Sequence, residues 1–123
     1  MTNYLLTGGG TAGHVNPLLS VADALIKKDA ISKVFVLGTS VGLEARLVPE
    51  AGFPLLTIDK LPFPRKPNLK ALVFPFRFLS TVKKVKGYIK KYDIDVVVGF
   101  GGYVSAPAYL AARQLKVPLV IHE

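Results

Sequence analysis

The chain has 123 residues, half of them hydrophobic, with 16 Lys and Arg against 8 Asp and Glu, 2 His and no Cys. That length builds one domain with its own core, and the hydrophobic content excludes a disordered chain. Without Cys, a disulfide scaffold and any Cys-ligated zinc or iron–sulfur site are excluded as well.

Taken in order, Tyr4–Thr7 reads as a buried strand that runs into glycines. Asn16 to about Lys28 reads as a helix, with Asn16 as N-cap, Pro17 at the first helical position, and Leu18, Val21, Ala22 and Leu25 on one face. Lys33–Leu37 is a second strand, closed by Gly38. Gly42–Ala51 is a short helix that Pro49 bends or stops, with Gly52 as its C-cap. Leu55–Ile58 is a third strand, and residues 59–68, with Pro62, Pro64 and Pro67, are loop. Leu69–Tyr92 reads as a helix interrupted near Pro75. Ile94–Val98 is a fourth strand ending at Gly99, Ser105–Leu115 a helix with Pro107 in its first turn, and Leu119–Ile121 a fifth strand.

Strands alternating with helices imply right-handed crossovers and a parallel sheet. The strands are near-continuous apolar runs, as helices on both faces require. The expected class is therefore α/β, a Rossmann-like parallel sheet. In such sheets ligands bind beyond the carboxyl ends of the strands. The chain stops at His122-Glu123, at one such end, which leads to the expectation that it is a piece of a larger protein. No run approaches the roughly 18 apolar residues of a membrane span. The start, Met1-Thr2-Asn3, lacks the basic region of a signal peptide, so a cytoplasmic location is expected.

Charge is uneven. Ten basic residues and no acidic one lie between Lys60 and Lys91, whereas the remainder carries six basic and eight acidic residues. Such a segment points to an anionic partner: nucleic acid, a phosphate-bearing substrate or acidic lipid. A solvated helix face is the plainer alternative.

Two glycine loops carry the chemistry. Gly8-Gly9-Gly10-Thr11-Ala12-Gly13-His14 lies between the first strand and the first helix. Glycines let the backbone approach a ligand, and the helix N-terminus adds N–H groups and partial positive charge, which together suit a phosphate. Gly8, Gly10 and Gly13 fit the dinucleotide fingerprint, but no acid follows the second strand, where Gly38-Thr39-Ser40 stands, and none comes until Glu44. The loop also lacks the Lys-Ser/Thr of a P-loop. His14 beside it is either a packing residue or, as a neutral imidazole next to a phosphate site, a general base. The second loop, Gly99-Phe100-Gly101-Gly102-Tyr103-Val104-Ser105, repeats the arrangement, with Ser105 as helix N-cap and Tyr103 either touching a ligand or packing on the loop. With strand order 3-2-1-4-5 both loops face one crevice and suit a diphosphate.

These two loops, the segment Leu43-Glu44-Ala45-Arg46-Leu47-Val48-Pro49 and the end Pro118-Leu119-Val120-Ile121-His122-Glu123 closely resemble the MurG family of bacterial N-acetylglucosaminyltransferases. The resemblance covers the whole chain. It implies a GT-B fold of two Rossmann-like domains, with residues 1–123 as the N-terminal, acceptor- and membrane-binding one and the C-terminal donor-binding domain absent. The implied reaction is an inverting transfer of GlcNAc from UDP-GlcNAc to the muramoyl 4-hydroxyl of undecaprenyl-diphospho-muramoyl-pentapeptide, lipid I to lipid II, in peptidoglycan synthesis. By resemblance His14 is the general base and Glu123 a functionally important acid. Thr11, Ala12 and Gly13 touch the donor, and Gly9, Gly10, Gly101, Gly102 and Tyr103 belong to the seat of the diphosphate. Ala12 stands where many members have Gly, and the Gln-Asn that normally follows Glu123 lies past the end of the chain. No cofactor, metal or nucleic acid is implied. Lys70, Phe74, Phe76, Arg77, Phe78, Lys83 and Lys84 would contact anionic lipid on the cytoplasmic face of the inner membrane, peripherally. Against this, Leu72, Phe76, Leu79, Val82 and Ile89 are expected to pack on the sheet where the helix needs a buried face.

The chain alone is expected to be inactive. An alternative is a stand-alone membrane-associated acceptor subunit that needs a separate donor-binding chain. A dinucleotide oxidoreductase is weakened by the missing acid, and a nucleic-acid binder would show salt-sensitive affinity for DNA or RNA exceeding that for anionic vesicles.

Overall fold

The computed structural model describes residues 2–9, 12–59, 69–102 and 105–122. Its elements are β1 (Asn3–Thr7), α1 (Ala12–Lys28), β2 (Lys33–Gly38), α2 (Glu44–Glu50), β3 (Leu55–Thr57), α3 (Leu69–Lys91), β4 (Val96–Gly99), α4 (Ser105–Gln114) and β5 (Leu119–Ile121). The sheet is parallel throughout, in the order β3-β2-β1-β4-β5. β1 is central, with Leu5 paired to Phe35 on one side and Val97 on the other.

Successive strand residues face opposite ways, and the core divides accordingly. Leu5, Leu37, Leu56 and Val97 pack with Val82, Val85 and Ile89 of α3 and with Ala108, Ala111 and Ala112 of α4. Leu6, Val34 and Val36 pack with Leu18 and Ala22 of α1 and Val48 of α2. Apolar strands thus have helices on both faces, the expected α/β class.

Two helices differ from the sequence reading. α1 begins at Ala12, four residues before Asn16, so Asn16 is exposed inside the helix and caps nothing. Pro17 there forgoes the bond to the Gly13 carbonyl and crowds that carbonyl, while Val15, with no exposed surface, extends the buried face into the first turn and offsets part of the cost. α3 likewise runs unbroken through Pro75, whose ring lies on an exposed face. α2 ends as expected at Gly52, with φ +89°: Phe53 N–H donates to the Val48 carbonyl (3.2 Å) and Gly52 N–H to the Pro49 carbonyl (3.0 Å).

The 23 residues of α3 span roughly 35 Å at about 1.5 Å per residue, far more than the depth of a four-residue strand such as β4. Its C-terminal half lies on the sheet. Its end is tied to the start of β1, where Asn3 Nδ2 donates to the carbonyls of Tyr92 and Asp93 (both 3.1 Å). One turn earlier, the Tyr88 hydroxyl already reaches the Thr57 carbonyl at the end of β3 (2.8 Å). A crossover helix runs against its strands, so the turns ahead of Thr81 extend toward and past the carboxyl edge of the sheet. There Leu69, Leu72, Val73, Phe76 and Leu79 are exposed, at 79, 70, 46, 75 and 56%. Val82 and Ile89 pack on the sheet as expected, but Leu72, Phe76 and Leu79 do not: all three are exposed, displaced round the helix from Val82 by about 80°, 120° and 60° at about 100° per residue.

Candidate functional site at the carboxyl edge of the sheet

β1 and β4 are neighbours, and Thr7 lies beside Gly99 at their ends. The strand ends are joined directly: Phe100 N–H donates to the Thr7 carbonyl (2.8 Å). The two glycine loops therefore leave the sheet side by side, as the strand order required.

His14 sits in the first turn of α1, half-buried. Its Nδ1 is 3.1 Å from the Gly9 carbonyl. A carbonyl can only accept, so Nδ1 carries the proton in this contact and Nε2 is the basic nitrogen. The second loop closes over the same ring. Gly101 and Gly102 have φ of +94° and +88°, a region that L side chains rarely enter. A Cβ on Gly101 would stand 3.3 Å from both Cδ2 and Nε2 of His14, and one on Gly102 would stand 3.0 Å from the Gly9 carbonyl oxygen. Glycine here permits the turn and also the close approach of one loop to the other.

Ser105 is the first residue of α4 and does not cap it. Its hydroxyl is buried and lies 2.8 Å from the Gly101 carbonyl and 3.2 Å from the Thr7 carbonyl, so it can bind the loop to β1. His122, after β5, joins this edge as well. Its N–H donates to the Gly99 carbonyl (2.7 Å), and its ring lies 5.5 Å from that of Phe100.

The structure thus brings Gly9, His14, Gly101 and Gly102 together. Gly13, in the same helical turn as His14, is exposed, and Ala12 opens the helix. Gly10, Thr11, Tyr103, Glu123 and the side chains of Ala12 and Lys70 lie outside the described residues. The remaining lipid-contact candidates form a separate group on α3. Phe76, Arg77, Lys83 and Lys84 are exposed. Phe74 and Phe78 are half-buried with ring centroids 6.0 Å apart, and Phe78 packs against the core. Among the described residues, no three His, Cys, Asp or Glu side chains are grouped as metal ligands, and no helix is long and apolar enough to cross a membrane.

One residue at this edge was missed. Glu44, the first residue of α2, has no exposed surface, and its carboxylate turns inward against Gly9, Gly38 and Gly42. The sequence showed only an acid that came too late to meet a ribose. Its signal was the glycine two positions before it.

A doubly wound sheet whose neighbouring strand ends carry glycine loops over one histidine is a Rossmann-like domain, a class in which ligands bind beyond the carboxyl ends of the strands. The chain belongs to the glycosyltransferase family 28 N-terminal domain family, whose model matches residues 4–123. It is 58% identical over 123 residues to the UDP-N-acetylglucosamine--N-acetylmuramyl-(pentapeptide) pyrophosphoryl-undecaprenol N-acetylglucosamine transferase of Leifsonia xyli subsp. xyli, covering 34% of that protein. It is 56% identical to the transferase of the same name from Tropheryma whipplei, again covering 34% of it. The crystal structure of Acinetobacter baumannii MurG matches the whole chain with a TM-score of 0.85 at 36% identity, over 35% of that protein. The chain spans about a third of the length of the curated relatives it matches. The expected resemblance and the fold of a GT-B N-terminal domain are both borne out.

Proposed function

We propose that this domain is the acceptor-binding half of an inverting glycosyltransferase that moves GlcNAc from UDP-GlcNAc to the muramoyl 4-hydroxyl of undecaprenyl-diphospho-muramoyl-pentapeptide. The observation that carries the reading is the meeting of both glycine loops over His14, with Nδ1 held on the Gly9 carbonyl. That contact leaves Nε2 as the nitrogen able to take a proton. The acceptor hydroxyl oxygen forms a bond to the anomeric carbon while the bond from that carbon to the UDP oxygen breaks. UDP leaves with the electron pair, and the hydroxyl proton passes to Nε2. The glycine loops and the first turn of α1 offer the diphosphate a seat of backbone N–H groups and helix-end charge. The names of the relatives supply the two substrates.

The same protein binds anionic inner-membrane lipid peripherally, from the cytoplasmic side. The exposed stripe Leu69, Leu72, Val73, Phe76 and Leu79, flanked by Arg77, Lys83 and Lys84, supports this reading. Apolar side chains enter the headgroup boundary, and each basic residue near an anionic surface adds about 1 kcal/mol. The stripe projects from the edge that carries the glycine loops, so a lipid-linked acceptor would be met on the side where His14 stands.

The test is His14→Ala in the complete protein. GlcNAc transfer is expected to be abolished while binding of the lipid-linked acceptor persists. Turnover near that of the unaltered protein would remove His14 from the reaction.

A further inference from the structure

We infer that Glu44 is a positioning residue for the His14 imidazole, acting through the Gly9 peptide; the inference rests on the reading of His14 as the base. Glu44 is fully buried, although it lies beside a ligand crevice and not in either core cluster. An ionised carboxylate is costly to bury unless its oxygens are satisfied. Thr39 N–H donates to Oε2 at 3.1 Å, and Thr39 Oγ1, itself 3.5 Å from Oε2, accepts the Gly42 N–H at 3.0 Å. The β2–α2 turn is therefore built around this carboxyl group.

The other side of the group meets the loop that follows β1. A Cβ on Gly9, Gly38 or Gly42 would run into the Glu44 side chain, so three glycines from two loops form a cradle with its shape. Of these, Gly9 is the residue whose carbonyl accepts from His14 Nδ1 and whose oxygen lies under Gly102. The Glu44 carboxyl group thus packs against the Cα of the residue whose carbonyl selects the imidazole tautomer. An apolar side chain would fill the same space, but it would leave the Thr39 N–H without its acceptor and the loop without its tie to β2. The carboxyl group both accepts from the Thr39 N–H and fills the space against Gly9.

The experiment uses the complete protein with 15N-labelled histidine, the His14 ring signals being assigned by their loss in His14→Ala. In the unaltered protein the ring nitrogens are expected to show the Nδ1–H tautomer. Glu44→Gln keeps the shape and can set an amide N–H against the Thr39 N–H, which needs an acceptor. It is expected to redistribute the His14 tautomers. It is also expected to lower kcat by about tenfold or more, while both KM values stay within about twofold, as misplacement of a catalytic group does. Glu44→Asp, which keeps the charge but draws it back from Gly9, is expected to act in the same direction and serves if the Gln variant does not fold. An unchanged His14 ring spectrum in a folded Glu44 variant overturns the inference, whatever happens to kcat. If His14→Ala retains turnover, the reading of His14 as base fails, and the ring spectra still decide whether Glu44 positions the imidazole.

Discussion

Replacing Gly102 by alanine separates backbone geometry from side-chain chemistry at the site. The new methyl group would sit on a residue with φ +88°, 3.0 Å from the Gly9 carbonyl oxygen. A left-handed L-residue costs about 1–2 kcal/mol, and relief of the contact raises the total to roughly 2–4 kcal/mol. The neighbour is backbone, so it cannot rotate away. If the second loop holds its place, the cost appears as lost stability. A chain of 123 residues unfolds with about 2.1 cal/mol/K per residue, so 2 kcal/mol lowers Tm by about 8 °C. If Gly9 yields instead, its carbonyl leaves His14 Nδ1 and the loss appears in kcat. Thermal melting of this 123-residue domain and GlcNAc transfer by the complete protein read the two outcomes. Gly87→Ala is the matched control. Gly87 lies inside α3 with nothing within 4 Å of its missing Cβ, and that change is expected to stabilise by up to about 1 kcal/mol. A Gly102→Ala protein with Tm within about 1 °C and turnover within about twofold of the original would refute the reasoning from φ and contact.

Two further outcomes follow from other parts of the fold. Asn3→Asp places an acceptor where Nδ2 now donates to the Tyr92 and Asp93 carbonyls; a loss of roughly 2–4 kcal/mol in denaturant unfolding is expected, and equal stability of the two proteins would contradict the role of the amide. Lys83→Gln with Lys84→Gln, made together, is expected to weaken binding to phosphatidylglycerol-containing vesicles about thirtyfold, from about 1 kcal/mol per charge. Undiminished sedimentation with those vesicles would mean that this face does not meet the lipid.

Most of the fold was legible because strand and helix periods differ and glycines mark the strand ends. Leu5 and Leu6, adjacent and both wholly buried, already imply helices on two faces. The strand order, taken as a condition from Rossmann-like sheets, is the one the sheet adopts. What misled was proline. Pro17 and Pro75 were read as a helix start and a helix break, yet the helices run through both: at Pro17 the burial of Val15 offsets the local cost, and Pro75 lies on an exposed face of its helix. Ser105 was assigned to its own helix, but the nearest acceptors, the Gly101 and Thr7 carbonyls, lie behind it. Glu44 was invisible for a different reason. Its meaning depends on three glycines separated by up to 33 positions, and only the β1–β2 pairing brings them to one carboxylate.

The continuity of α3 through Pro75 has a geometric consequence. One rigid rod carries the sheet-packed residues Val82, Val85 and Ile89 and the exposed stripe from Leu69 to Leu79, so the angular phase between them is fixed by residue count alone. Removing one residue from the projecting turns would rotate the stripe by about 100°, and removing four would nearly restore its heading while shortening the rod by about 6 Å. The length of this helix is therefore both a compass and a ruler for whatever the stripe rests on.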